Sequence, residues 1–154
     1  MTGLRDVMFC GFLAAAAAWD LRKKRIPEKI LLAGGLCGIP WAVLLYEEYG
    51  AIALAAGFLP GLLLLAVSRI SREAVGRGDG LFFLVAALYL PPAGTVSLLL
   101  GGILCCGLFC ALFLLCRFLR NRSCRGCSVP FLPFLIPVWG ILLLSGALKN
   151  PGGG

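Results

Sequence analysis

The chain has 154 residues, of which 60% are hydrophobic and only 14% are charged. A soluble domain of this size and composition would expose large apolar patches, so the composition excludes an ordinary soluble globular fold. The net charge is +7, a value that also suits nucleic-acid binding, but the distribution of the basic residues has a different explanation.

The chain contains long charge-free runs, among them 30–46, 80–116 and 126–148. Apolar runs near or above about 18 residues predict helices that span a membrane. Twelve of the fourteen basic residues fall at every second gap between apolar stretches. These twelve are Arg22, Lys23, Lys24, Arg25, Lys29, Arg69, Arg72, Arg77, Arg117, Arg120, Arg122 and Arg125. Basic loops stay cytoplasmic, so we predict that all three clusters face the cytoplasm and its anionic lipid headgroups. No nucleic-acid partner is needed to explain them.

We predict an all-α fold, in which residues 1–154 form one integral-membrane domain of six transmembrane helices with both termini outside. In chain order the predicted spans cover 6–21, 30–46, 50–68, 79–91, 94–116 and 128–147. Pro91 and Pro92 divide the long run between the fourth and fifth spans. The first span is expected to be retained, because a signal peptide carries its basic residues before the apolar core and here they follow it.

Two acids, Asp20 and Asp79, lie near the predicted cytoplasmic ends of two short spans. Counted from the outer boundary, Asp20 lies 14 residues after Asp6, and Asp79 lies 13 residues before Pro92. Each stretch covers about 20 Å of helix, in a hydrocarbon core about 30 Å thick. Both carboxyl groups are therefore expected at a similar depth, somewhat below the cytoplasmic surface, and this matching predicts a pair.

Two carboxyl groups that share a poorly solvated site cannot both ionise comfortably, so one holds a proton and the pair titrates as a unit. Such a pair suits general acid–base chemistry, in which the ionised member takes a proton from water and the protonated member donates to a carbonyl oxygen or leaving nitrogen. The chain contains no His, which disfavours the usual Ser-His and Cys-His mechanisms and a zinc hydrolase. Hydrolysis of a peptide bond by water, without a cofactor, is the predicted reaction.

Glycines surround the second acid, at Gly76, Gly78 and Gly80. They remove side-chain bulk and permit backbone conformations closed to other residues, so we expect them to let a substrate strand approach Asp79. The alternatives are that Asp79 is an ordinary N-cap of the fourth span and that Asp20 is an ordinary interfacial charge.

Other residues on the predicted cytoplasmic side are candidates for substrate contacts. Glu28 and Glu73 would attract a basic substrate, although solvated loop charges that balance nearby Lys or Arg are the simpler alternative. Pro130, together with Pro133 and Pro137, makes the start of the sixth span irregular, and we expect this segment to border the cleft.

The cysteines do not predict a metal site. Cys124 and Cys127 form a single CxxC motif in a predicted cytoplasmic loop. A structural zinc usually needs four ligands, and this loop has no His and no second CxxC, so the role of the two thiols stays open. The other six cysteines fall within predicted spans, where Cys commonly packs as a small apolar residue.

Three stretches resemble the type IV prepilin peptidases and archaeal preflagellin peptidases. "DLRKKRIPEKIL" at 20–31 resembles the first motif of that family, in which an Asp precedes a basic stretch and an Ile-Pro or Leu-Pro pair. "GRGD" at 76–79 is similar to the GxGD motif, and "VPFLPFLIP" at 129–137 is similar to the segment near the last helix. The separation of Asp20 and Asp79, 59 residues, also fits the small members.

The resemblance implies an intramembrane aspartic protease with Asp20 and Asp79 as the catalytic pair. Such an enzyme clips the short basic leader from prepilin-like proteins on the cytoplasmic side, after a glycine and before a hydrophobic helix. It adds Pro27, which opens the second helix in the first motif, to the possible substrate contacts. The oligomeric state is not predicted.

The chain departs from the family pattern in three respects. Glu28 follows Ile26-Pro27 where Asn or Asp is common, and Gly80-Leu81-Phe82 follows the GxGD acid where many members have Lys. The chain also has no room for the cytoplasmic CxxC domain of larger members, so no methyltransferase activity is expected.

Three other functions stay open from the sequence. A presenilin-like protease also uses GxGD, but its Pro-Ala-Leu motif is absent here. A small transporter or ion-coupled channel would use the two acids as cation or proton sites. A non-catalytic membrane subunit would pack through small residues such as those of "GGLCG" and "GGILCCG".

Overall fold

The computed structural model describes residues 2–23, 28–70, 76–119 and 131–145. In chain order these residues form α1 (Thr2–Lys23), α2 (Glu28–Ile70), α3 (Arg77–Ala86), α4 (Pro92–Leu119), a 3-10 helix (Leu132–Phe134) and α5 (Leu135–Leu144). No strand occurs within these ranges, so the all-α prediction is confirmed. The predicted break at Pro91 and Pro92 is also present, because α4 begins at Pro92.

The prediction of six membrane-spanning helices is only partly matched. Across the described ranges, two helices are long and apolar enough to cross a bilayer: α2 and the part of α4 from Pro92 to Arg117. Helices α3 and α5 have ten residues each, or about 15 Å, which is half the thickness of a hydrocarbon core. Helix α1 carries Arg5 and Asp6 close to one end. The structure therefore shows two candidate spans where the sequence predicts six, and the placement of the termini stays a prediction.

Helix α2 contains a reversal of the chain at Gly50, where the sequence predicts the junction between the spans 30–46 and 50–68. Its 43 residues are continuous except at Gly50, which has φ 81° and ψ 172°, a conformation that favours glycine. The half before Gly50 runs parallel to α3 and the half after it runs antiparallel. The contacts that establish these directions join Gly35 with Val85, Gly38 with Leu88, Gly57 with Ala87, and Gly61 with Leu84. One helical segment, bent at a single glycine, therefore supplies two passes beside α3.

Aromatic side chains of three helices form the centre of the bundle. The ring of Phe12 from α1 stacks on Phe82 from α3 at 5.1 Å between centroids. Phe9, one turn earlier in α1, meets Trp139 of α5 edge to face at 4.6 Å. Both distances lie in the range that favours aromatic pairs, so these contacts fix α1, α3 and α5 relative to one another.

Small residues let α2 approach the aromatic centre closely. A methyl group at Gly34 would collide with the ring of Phe12, and one at Gly38 would lie 2.8 Å from Cβ of Leu88. The Tyr89 hydroxyl donates a hydrogen bond of 2.6 Å to the carbonyl of Gly34. In a bilayer the lipid tails are as apolar as the side chains, so close packing of this kind, and not the hydrophobic effect, drives the association of helices.

Candidate active site

Asp20 lies on the buried face of α1. The buried residues of this helix recur at the helical period, at Arg5, Phe9, Phe12, Leu13, Ala16, Ala17 and Asp20. The same periodicity that turns the aromatic rings inward therefore turns the carboxyl group inward, and only 8% of Asp20 is exposed.

The partner of Asp20 is the backbone at the start of the 3-10 helix. The N–H of Leu132 donates a hydrogen bond of 3.3 Å to Oδ2 of Asp20, across 112 residues of sequence. The backbone N–H of Phe131 also donates to this carboxylate. Hydrogen bonds to a charged group contribute about 1.5–3 kcal/mol, so this end of the last segment is a favourable place for a negative charge.

Asp79 lies in the first turn of α3, and it is not the N-cap. The N-cap is Gly76, which has an extended backbone (φ −63°, ψ 129°), and no side chain caps the helix at this position. The N–H of Asp79 donates a hydrogen bond of 3.1 Å to the Gly76 carbonyl. The N-terminus of a helix favours a nearby negative charge by about 0.3–1 kcal/mol. This effect on Asp79 is smaller than that of the direct donors on Asp20.

The structure brings the two predicted acids together. The carboxyl group of Asp79 lies within electrostatic reach of Asp20, although 59 residues separate them in sequence. Neighbouring contacts agree with this placement: the ring of Phe83, one turn after Asp79, lies 6.5 Å from the ring of Phe131, whose N–H faces Asp20. Helices α1 and α3 and the 3-10 helix therefore meet at one site.

Helix α4 is a fourth element of the site, one that was not predicted from the sequence. A Cβ at Gly102 would lie 3.0 Å from the Phe131 ring, and Cys106, one turn further on, lies within electrostatic reach of Asp79 and hydrogen-bonds to Cys110. From the sequence, these thiols are expected only to pack as small apolar residues. Residue counts alone could have predicted the position of Cys106. Asp79 lies 13 residues before Pro92 and Cys106 lies 14 residues after it. Because the chain reverses direction at Pro92, the two residues lie at a similar depth in the bundle.

The glycines near Asp79 have a steric role. Gly80 packs against α2, where an added Cβ would lie 2.7 Å from Cγ and 3.0 Å from the backbone N of Leu65. At Gly76 an added Cβ would lie 3.4 Å from Oδ2 of Asp79, and Gly78 is half-buried in the same turn. The positive-φ glycine of the described ranges is Gly50, so these three glycines do not adopt such a conformation here, and their part in the approach of a substrate strand stays a prediction.

The remaining predicted residues fall into two groups. Glu28 is exposed and begins α2. Outside the described residues lie Pro27, Glu73, Pro130, Cys124 and Cys127. Within the residues that the structure covers, no group of three or more His, Cys, Asp or Glu side chains is placed to hold a metal ion.

Fold and site together define an all-helical, strongly apolar protein with two neighbouring acids, Asp20 buried and Asp79 half-buried. A family model described as the type IV leader peptidase family matches residues 7–112, which is more than half of the chain and includes both Asp20 and Asp79. The chain belongs to the type IV leader peptidase family. The resemblance seen in the sequence is thus confirmed, and membership supports a peptidase embedded in a membrane. No curated protein and no solved structure matches the chain.

Proposed function

We propose that this protein is an intramembrane aspartic endopeptidase that removes the basic leader of prepilin-like precursors at the cytoplasmic face of the cell membrane. The observation that carries this proposal is the proximity of Asp20 and Asp79, which two different helices supply to one site. A family of leader peptidases provides the reaction class, and the acid pair provides the chemistry.

The pair would hydrolyse the peptide bond with water as the nucleophile. Two neighbouring carboxyl groups share one proton at neutral pH, because the second ionisation places like charges together in a site with little water. The ionised member then removes a proton from water while the protonated member donates to the substrate carbonyl. No cofactor enters this reaction.

The surroundings of the pair suit an extended, basic substrate followed by an apolar helix. Gly76 and Gly78 would keep the approach to Asp79 free of side chains, Gly80 packs α3 against α2 beside it, and exposed Glu28 offers a negative charge to the leader. We propose Pro27, Glu73 and Pro130 as further contacts, on the sequence alone.

We also propose six membrane crossings with both termini outside. The reversal of α2 at Gly50 supports two crossings within that helix, α4 supports a third, and α1, α3 and α5 would supply shorter ones. The three basic clusters would then lie on the cytoplasmic side, against anionic lipid.

Co-expression with a candidate prepilin tests the function directly. Loss of the leader is followed as a gel shift, first with the unchanged protein and then with Asp20→Asn and Asp79→Asn singly. Either change is expected to abolish cleavage while membrane insertion persists. Cleavage that survives when both acids are replaced would remove the pair from the mechanism. An acid-dependent ion flux without any processing would favour the transporter instead.

A further inference from the structure

The two acids of the site have different surroundings, and the difference originates in the segment that begins at Phe131. The first N–H groups of any helix lack partners within that helix. At the 3-10 helix these groups belong to Phe131 and Leu132, and they point to the carboxylate of Asp20. Within the described residues, Asp20 receives such backbone donors and Asp79 does not.

We infer that the backbone at Phe131 and Leu132 is a positioning element that holds Asp20 as the ionised member of the pair, which makes Asp20 the general base and Asp79 the general acid. This inference rests on the proposed function and goes further, because it assigns a separate role to each acid. It also assigns a function to the turn before α5, which lies outside the matched residues 7–112.

Charged groups on the surrounding elements leave this assignment intact. Residues 131–144 contain no ionisable side chain, so the segment offers only its backbone to Asp20. Among the described residues, the ionisable groups on the other elements at this end of the bundle include Arg22 on α1, Glu28, Lys29 and Arg69 on α2, Arg77 and Asp79 on α3, and Cys106 and half-buried Arg117 on α4. Arg22, Glu28, Lys29, Arg69 and Arg77 are exposed, where solvent weakens their effect on a buried carboxylate.

The assigned roles give a balanced reaction. Asp20 accepts a proton from water as the water oxygen bonds to the carbonyl carbon, and Asp79 donates its proton to the carbonyl oxygen. In the second step Asp20 passes its proton to the amide nitrogen as the carbon–nitrogen bond breaks, and Asp79 recovers a proton from the hydroxyl that becomes the new carbonyl oxygen. Both acids return to their starting states.

A single-atom change to the backbone tests the positioning role. Replacing Leu132 by its α-hydroxy acid analogue turns the N–H into an ester oxygen and keeps the buried side chain. The matched control places the corresponding ester at Ile136, one turn further along. We expect kcat at neutral pH to fall about 10- to 100-fold relative to this control, as for loss of a hydrogen bond to a charged group, with little change in KM.

The pH dependence separates positioning from folding. Without the N–H donor the carboxylate of Asp20 is harder to form, so the acid limb of the kcat profile should move to higher pH and the loss should shrink as the pH rises. Leu132→Ala is a second control, because it loses the buried side chain and keeps the N–H donor, so the acid limb of its kcat profile should stay in place.

The outcomes also distinguish this inference from the proposed function. If Asp20→Asn and Asp79→Asn abolish cleavage but the Leu132 ester has the kcat profile of the Ile136 ester, the positioning role is overturned and the protease stands. If cleavage persists without either acid, both fail.

Discussion

Helix α1 carries one acid near each end, Asp6 and Asp20, and the two acids have different neighbours. Asp6 has a cation beside it: Nε of Arg5 lies 3.6 Å from Oδ1 of Asp6, and the two side chains are only 10% and 17% exposed. Asp20 instead faces a second acid, Asp79, and two backbone donors. A charge with an opposite charge beside it is compensated, whereas two acids placed together cost free energy, an arrangement that is common at functional sites.

The largest expected effect comes from neutralising either acid of the candidate pair, Asp20 on α1 or Asp79 on α3. Asp20→Asn or Asp79→Asn should lower kcat for leader removal by about 100-fold or more, the range for loss of a general acid or base. Asp6→Asn is the matched control in the same helix, and its cleavage rate per folded molecule should stay near that of the unchanged protein. An equal loss of kcat in all three variants, measured on purified protein, would show that Asp6 and Asp20 do not differ in their roles.

The second prediction concerns the approach of α3 to α2 near Asp79. Gly80→Ala places a Cβ 2.7 Å from Cγ of Leu65 and 3.0 Å from its backbone, so α3 must shift. We expect a loss of about 1–3 kcal/mol in the free energy of unfolding, together with a lower kcat because Asp79 moves with the helix.

Gly35→Ala is the control for this change, since its added Cβ would meet nothing nearer than Val85 at 4.0 Å in the same interface. The double variant Gly80→Ala with Leu65→Ala should recover part of both losses, because it removes the side chain that the new methyl group meets. If the Gly80→Ala protein is as active and as stable as the Gly35→Ala protein, α3 accommodates the added methyl group without the predicted shift.

The third prediction tests the compensated end. Arg5→Gln leaves Asp6 without its cation. In the unchanged protein, neither Nε of Arg5 nor Oδ1 of Asp6 makes a hydrogen bond, so the ion pair is the polar contact of both atoms. An unpaired buried polar group costs about 2 kcal/mol, so thermal unfolding in detergent should occur at lower temperature while kcat per folded molecule is kept. Adding Asp6→Asn should cost less than the sum of the single changes; strict additivity would mean that the two side chains act independently.

The smallest effect is expected at the hydroxyl that joins the end of α3 to α2. Tyr89→Phe removes the 2.6 Å hydrogen bond to the Gly34 carbonyl and should cost about 1 kcal/mol of stability. Tyr46→Phe is the control, because Tyr46 is 54% exposed. Equal unfolding temperatures for the two variants would contradict a stabilising role for the Tyr89 hydroxyl.

Counting along the chain was enough to predict that Asp20 and Asp79 meet, because helical rise is constant and both acids were counted from an outer boundary. The same counting from Pro92 points to Cys106. The number of membrane-spanning segments was harder to predict, because a single glycine, Gly50, decides whether residues 28–70 form one helix or two passes. The donors at Phe131 and Leu132 were out of reach, because a backbone N–H has no sequence signature and its partner lies 112 residues away.

The dependence of Asp20 on Leu132 has a consequence for biosynthesis. Both acids and helices α1 to α4 leave the ribosome before the turn that orients Asp20 exists, so a nascent chain would hold the acids without the donors. Proteolytic competence would then arise only when α5 docks against α1 and α4, which would protect the membrane from a partly assembled hydrolase during insertion.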